Sequence, residues 1–352
     1  MRIAIVSGGT GGHIYPGIAV AQAIKQRDAG AELLFIGSQE GLEKELIARE
    51  GYGVKLIKAR ALLRKLSYQA LSAPFVSVWG FFQSLKILRR FSPQVLISTG
   101  GYASLPVVLA ARSLGIPVVL HEQNVLPGAV NRFCARFARK VFLTFDGSQQ
   151  YLAGEVVGNP VRAEIISAER EAARKKFSLD PRARVVLVVG GSQGAKKINE
   201  TVISSLDVLP ADVQVLHIIG NRDFGWVSRC LEGREVVNYR PLPYLHDMAD
   251  ALAAADLVVS RAGATAISEF LVRGLPMCLI PFPYAANDHQ RLNAEVVASA
   301  GAAVVVRDQD LSPEKFVKVI TDPGLNYDKM RGSCRQLARP EAAERIVDYI
   351  YA

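Results

Sequence analysis

The sequence is poor in cysteine. Four thiols, Cys134, Cys230, Cys278 and Cys334, are spread through 352 residues with no CxxC pair and no Cys/His cluster. That spacing argues against structural zinc and suits scattered reduced thiols in a cytosolic protein. A secretory leader is not expected either, because Met1-Arg2 runs straight into an apolar strand and then glycines, and the chain is expected to stay on the cytoplasmic side. Low-complexity tracts and short-period repeats are absent. So are the dinucleotide fingerprint GxGxxG and the NTP loop GxxxxGK(S/T), and no glycine loop carries a Lys-Ser/Thr pair to grip a γ-phosphate and magnesium. Kinase and ATPase chemistry are thereby disfavoured. Asp-x-Asp occurs once, at Asp308-Gln309-Asp310, where Ser312 as N-cap and Pro313 as first helical residue mark a loop before a helix rather than a metal site.

What is present is a two-domain α/β pattern. The length exceeds one ordinary core, half the residues are apolar and 21% are charged, a soluble globular profile. Basic residues outnumber acidic ones 42 to 33, for a formal charge of +9, which favours nucleic acid, anionic lipid or phosphorylated partners without choosing among them. A short apolar run followed by glycines and a helical stretch occurs four times. The runs are Ile3 to Val6, Val95 to Ile97, Val185 to Val189 and Leu257 to Val259. Further strands are expected at Glu32 to Ile36, Pro117 to Leu120, Lys140 to Leu143, Val213 to Ile219 and Met277 to Ile280. Buried-type strands alternating with helices predict parallel βαβ units. The two strongest glycine loops each follow the first strand of a set, so two doubly wound Rossmann-like units in tandem are expected. Residues 1–158 and 159–338 would form them, with the seam at Gly158-Asn159-Pro160, a helical Ala163 to Phe177 after it, and a last helix from Pro340 to Tyr351. Residues 339–352 are expected to pack back on the first domain.

Glycine loops between strand and helix let backbone amides approach an anion, so several in one chain predict phosphate or diphosphate binding, although glycine also serves plain βα turns. His13 closes the first loop and reads either as a general base near neutral pH or as a structural histidine bonding nearby backbone. His121-Glu122-Gln123-Asn124 ends a strand at the edge where α/β sheets bind ligands. The run Ser260 to Glu269 opens a helix, with Glu269 suited to ribose hydroxyls or to plain solvation. Asp288-His289-Gln290 suits sugar hydroxyls or an N-cap cluster. Residues 60 to 90 join Arg60, Arg64 and Lys65 to an apolar run and then Lys86, Arg89 and Arg90. Pro74, Ser77, Gln83 and Ser84 interrupt the run, which speaks against a membrane span. It reads as an interfacial segment, with Trp79, Phe81 and Phe82 in the headgroup region and the cations on anionic lipid, or as a buried helix pair with a basic rim.

Together these motifs resemble the MurG family of undecaprenyl-diphospho-muramoylpentapeptide β-N-acetylglucosaminyltransferases. The resemblance rests on SGGTGGH (Ser7 to His13), TGGYAS (Thr99 to Ser104), HEQN (His121 to Asn124), GNPVR (Gly158 to Arg162), GGSQGA (Gly190 to Ala195), Ser260 to Glu269, His289-Gln290 and Asn293-Ala294. It implies a GT-B fold, two Rossmann-like domains with parallel sheets facing across a cleft. It also implies an inverting transfer of GlcNAc from UDP-GlcNAc to the 4-hydroxyl of MurNAc in lipid I, giving lipid II, with no metal and no cofactor. Partners so implied are UDP-GlcNAc, lipid I and an anionic membrane surface at the cytoplasmic face, with no nucleic acid. By the same resemblance the donor would meet Thr10, Gly11, Gly12, Asn124, Arg162, Ser192, Leu245, Ala264, Thr265, Ala266, Ile267, Ser268, Glu269 and Gln290. The hydroxyl of Thr265 stands one position earlier than in some relatives. Tyr102, His121 and Glu122 would face the acceptor, and His13 would be the base. A UDP-GlcNAc 2-epimerase, a non-catalytic membrane-associated nucleotide-sugar binder and a Rossmann dehydrogenase are the rival readings.

Overall fold

The computed structural model describes residues 1–60, 68–191, 194–234, 236–322 and 324–352, and side chains are described outside 61–75. The chain forms two compact units, Met1–Arg162 with Arg339–Ala352, and Ala163–Ala338.

The first unit holds seven strands: β1 (Arg2–Val6), β2 (Glu32–Ser38), β3 (Val54–Ile57), β4 (Val95–Ser98), β5 (Val118–Glu122), β6 (Lys140–Leu143) and β7 (Glu155–Val156). They pair in parallel in the order β3-β2-β1-β4-β5-β6-β7. The alternation of side chains along each strand sends Ile3, Ile5, Phe35 and Ile97 to one face, while Ala4, Val6, Ile36 and Leu96 go to the other. Both faces are covered, which is why the strands read as unbroken apolar runs. The helix Gly11–Arg27 covers the first face together with the last helix, Ala342–Tyr351, whose Ile346 and Val347 enter the same core as Ile3 and Ile5. The helices Tyr68–Phe91 and Ser104–Ser113 lie on the other.

In the second unit the strands are β8 (Arg184–Val189), β9 (Val213–Ile218), β10 (Tyr239–Leu242), β11 (Leu257–Ser260), β12 (Met277–Leu279) and β13 (Ala303–Val305). Their order is β10-β9-β8-β11-β12-β13, again all parallel. In both sheets the strand order reverses beside the first strand, between β1 and β4 and between β8 and β11. The crevice at such a reversal, at the carboxyl ends of the strands, is where doubly wound sheets take ligands. All four glycine loops that the sequence singled out leave from these positions.

Two boundaries differ from expectation. The first unit runs to Arg162 rather than Gly158, because the Arg162 guanidinium stacks 4.2 Å from the centre of the Tyr15 ring and holds Asn159 to Arg162 on this unit. The single helix expected from Ala163 to Phe177 is two, Ala163–Ser167 and Arg170–Lys176. Arg273 donates to the carbonyls of Ile165 and Ile166 (3.3 and 2.9 Å), which takes up the acceptors at the end of the first helix.

Candidate functional site

In the first unit two glycine loops lock together. Gly8 and Gly101 meet backbone to backbone: a Cβ on Gly101 would lie 2.2 Å from the Gly8 carbonyl oxygen, and Gly101 holds φ at +86°. Only glycine satisfies both demands. The Tyr102 ring then covers Gly9, and its hydroxyl lies 2.8 Å from Ser38 Oγ. Burial pushes the Tyr102 phenol above its ordinary range. Thr10 caps the helix Gly11–Arg27 through its backbone alone and is exposed with Gly12, so this end faces solvent. Gly11 rests on Tyr15, the ring that Arg162 covers from its other contact.

His13 sits in the first turn of that helix, half-buried. Its Nδ1 faces two acceptors, the Thr99 carbonyl at 3.0 Å and Gln123 Oε1 at 2.9 Å. Both need a proton on Nδ1, so the neutral ring presents Nε2 as a lone pair. That tautomer is the one a general base requires. Gln123 is itself fixed: its Nε2 donates to the same Thr99 carbonyl (2.8 Å) and to His121 Nδ1 (3.0 Å). His121 therefore carries its proton on Nε2 and donates it to the Gly158 carbonyl at 2.9 Å. A single buried amide thus sets two imidazoles in opposite tautomers.

His121 and Glu122, expected to face an acceptor, do not. Each is 1% exposed. Burial pushes His121 down to about 4, keeping it neutral. Glu122 spends Oε1 on the Asn124 backbone amide (2.9 Å) and side chain, and Oε2 on Gly128 N (3.1 Å) and Asn131 Nδ2 (2.8 Å). The pair shapes the loop after β5 and leaves Asn124, half-buried, at its surface. Arg162 is also buried, at 4% exposed, and belongs to the first unit.

In the second unit the loop Gly190 to Ala195 is as tightly built. Gly194 holds φ at +74°, and a Cβ there would lie 2.5 Å from the Ile219 carbonyl oxygen. Ser192 and Gln193 lie outside the described residues. Beneath the loop, Asn199 Nδ2 donates to the Ile219 carbonyl and to Asp223, and its Oδ1 accepts from His217 Nε2 at 3.0 Å. His217 Nδ1 accepts from the Tyr239 hydroxyl at 2.8 Å, and burial pushes this imidazole down to about 3. The helix Ala264–Val272 begins at the end of β11 with Gly263 as its cap and no acidic residue in its first turn. The amides of Ala264 and Ala266 have no intrahelical acceptor there. Thr265 and Ala266 are half-buried and Glu269 is 8% exposed.

Three expected donor contacts change character. Ile267 is fully buried and its amide donates to the Gly263 carbonyl, so it is a core residue with nothing to offer a ligand. Ser268 is 5% exposed, with its hydroxyl donated to the Ala264 carbonyl. Gln290 Oε1 accepts from the amides of Phe282 (2.9 Å) and Ala262 (3.2 Å), tying the loop after β12 to the loop after β11 and leaving its amino group for a ligand. Asn287 and Asp288 just before it both hold positive φ, +53° and +56°. Leu245 is half-buried in the loop after β10. Asp308 pairs with Arg261 (2.6 Å) and Asp310 with Arg307 (2.6 Å), and Ser312 caps the following helix through Lys315 N as expected.

Within the apolar-basic stretch the described residues form the helix Tyr68–Phe91, which packs on the helix Ser104–Ser113. Gly80, Ser84 and Leu88 form its buried stripe, with Gly80 so close to the Lys58 carbonyl that a Cβ would lie 2.3 Å from it. Trp79 and Phe82 are each 59% exposed, with Lys86, Arg89 and Arg90 exposed beyond them. Phe81, expected with the exposed aromatics, packs partly buried on the core. Arg64 and Lys65 lie outside the described residues. Among the described residues no helix is long and apolar enough to cross a membrane.

The family models for the glycosyltransferase family 28 N-terminal and C-terminal domains match residues 3–143 and 185–346. The chain belongs to glycosyltransferase family 28. Among its relatives in this family are two proteins named UDP-N-acetylglucosamine–N-acetylmuramyl-(pentapeptide) pyrophosphoryl-undecaprenol N-acetylglucosamine transferase. That of Moorella thermoacetica is 40% identical, covering 99% of this chain and 98% of the relative, and that of Desulforamulus reducens is 38% identical, covering 99% and 97%. The crystal structure of Acinetobacter baumannii MurG is similar with a TM-score of 0.77 and 30% identity, covering 99% of both chains. A Neisseria meningitidis UDP-GlcNAc 2-epimerase structure shares the fold, with a TM-score of 0.69 at 15% identity over both whole chains.

In this family 28 chain hydrogen bonds join His13, Thr99, His121 and Gln123 in the first unit, and Gln290 joins the loops after β11 and β12 in the second. Sequence reasoning gave no role to Gln123, although it stands in the HEQN quartet, and missed Glu43, Asn131, Asn199 and His217. For His217 a signal was there to read, an imidazole inside the apolar run Val213 to Ile219.

Proposed function

We propose that the chain is an inverting glycosyltransferase that moves GlcNAc from UDP-GlcNAc to the 4-hydroxyl of MurNAc in lipid I, forming lipid II for peptidoglycan. The observation that carries this is identity of 38–40% across 99% of the chain with relatives named for that transfer. The 2-epimerase reading rests on a likeness of fold alone, and UDP-GlcNAc incubated without acceptor separates the two through its manno isomer.

In this reading the second unit takes the donor. Glu269 accepts from ribose, the backbone at Leu245 lies on uracil, the Gln290 amino group meets the sugar, and the first-turn amides of Ala264 to Ala266 face the diphosphate. His13 Nε2 takes the proton from the acceptor hydroxyl as its oxygen attacks the anomeric carbon. The bond to UDP breaks on the opposite face, and amides with a nearby cation meet the charge that develops on the leaving group. No metal or cofactor is needed, because those groups supply the stabilisation. Tyr102 lies on the acceptor side, and Trp79, Phe82, Lys86, Arg89 and Arg90 rest on anionic lipid at the cytoplasmic face of the membrane. The test is transfer of labelled GlcNAc to a lipid I analogue. His13→Ala should lower turnover by about 10²- to 10⁴-fold with donor affinity unchanged. Turnover near wild type would remove His13 as the base.

A further inference from the structure

We propose that Glu43 is a positioning residue that holds the first glycine loop, and through it His13, in working register. This rests on the reading above that His13 serves the transfer. Glu43 opens the helix Glu43–Arg49 and is fully buried. Its Oε1 accepts three hydrogen bonds, from Gly9 N at 2.9 Å, Ser38 N at 2.9 Å and Ser38 Oγ at 3.1 Å. The other oxygen, Oε2, is buried with no hydrogen-bond partner, and no cation pairs with this carboxylate among the described residues. A buried carboxylate with one unserved oxygen is an expensive way to fill space. Two glycines make the room for it: a Cβ on Gly37 would lie 2.6 Å from Glu43 Cγ, and one on Gly41 would lie 1.9 Å from Oε2.

The consequence lies in what Oε1 restrains. Gly9 holds φ at +87° and turns its amide inward to Glu43, which fixes the path of the loop into the helix. Thr10 N then bonds to the Gly8 carbonyl (3.2 Å), and His13 N bonds to the Thr10 carbonyl (3.1 Å). The link from Glu43 to His13 is therefore a continuous set of short bonds across five residues. Ser38 gives its one hydroxyl proton to Glu43, so the Tyr102 phenol must donate to Ser38 Oγ. The second glycine loop thereby reports to the same carboxylate.

Because Oε1 makes every bond and Oε2 none, the role needs an acceptor at one position rather than a charge. Glu43→Gln keeps that acceptor and should retain transfer within about 3-fold. Glu43→Ala removes it and should lower kcat by about 10- to 100-fold, the rate equivalent of the buried donors it leaves unsatisfied. The KM for UDP-GlcNAc should move less than kcat, since the residues read as meeting uracil, ribose and sugar, Leu245, Glu269 and Gln290, lie in the other unit. Exchange of the Gly9 amide, followed by NMR, should quicken in Glu43→Ala and stay protected in Glu43→Gln. A folded Glu43→Ala with wild-type kcat and a protected Gly9 amide overturns the proposal, as does an equal kcat loss in the Gln and Ala variants. Should Glu43→Ala fail to fold, Ser38→Ala carries the test, because it removes the hydroxyl between Glu43 and Tyr102 and keeps the Ser38 amide bond. It should lower kcat in the wild-type background with the donor KM held, and an unchanged kcat then overturns the proposal. Absence of transfer by the wild-type chain would sink the functional reading instead, while the Gly9 exchange still reports on the carboxylate.

Discussion

The imidazole of His217 should make the second unit acid-sensitive from a pH well above the ordinary carboxylate range. It is fully buried in β9, held between the Tyr239 hydroxyl and Asn199, and burial pushes it down to about 3. In the unfolded chain it titrates near 6.5. As pH falls below that value the unfolded state binds a proton that the folded state refuses, so stability is full above 6.5 and is lost from there down toward 3. Between pH 7.5 and 5.0 the loss is about 2 kcal/mol from this one group. His217→Gln supplies a non-titrating isostere, its amino group toward Asn199 and its carbonyl oxygen toward Tyr239. Urea unfolding followed by Trp226, which packs on the core of this unit, in a Trp79→Phe background isolates the transition. The wild type should lose about 2 kcal/mol more than His217→Gln over that interval. Equal losses would refute the burial argument, and so would an imidazole NMR signal that titrates above pH 6.

Other outcomes follow from Glu269 and from the exposed helix. Glu269→Ala should raise the KM for UDP-GlcNAc about 10-fold or more, the worth of hydrogen bonds to a charged acceptor, and unchanged donor affinity would remove the ribose assignment. Changing Trp79 and Phe82 to Ser should release the folded protein from anionic liposomes in co-sedimentation, with equal sedimentation by wild type and variant ending the membrane assignment. Phe81→Ser belongs to a different class: partly buried on the core, it should lower the melting temperature instead.

Much of this architecture is legible from the residues. Strands buried on both faces leave unbroken Val/Ile/Leu runs, and the glycines after them mark the βα turns, so Lys140 to Leu143 is placed to the residue. The seam is harder, because Pro160 to Arg162 reads as a linker until Arg162 is found stacked on Tyr15, far back in the chain. The same limit explains His121 and Glu122. A polar run at a strand end looks like a ligand site, and whether it faces out depends on partners such as Gly158 and Asn131 that only folding brings near. For Phe81 and Phe82 helical spacing alone cannot choose the outward ring. The close approach of Gly80 to Lys58 fixes the rotation of the helix and decides it.

The last helix carries a consequence for how the chain is made. Ile346 and Val347 complete a core begun by Ile3 and Ile5, with the whole second unit synthesised in between. A ribosome delivers residues in order, so the first unit emerges with one sheet face only partly covered, by the helix Gly11–Arg27, while the second is still being translated, and only the later one has all its parts in sequence. The unit that starts first would therefore finish last, exposing an apolar face during synthesis that a chaperone could occupy. Deleting the ten residues Ala342–Tyr351 should then harm the fold of the opposite end of the chain.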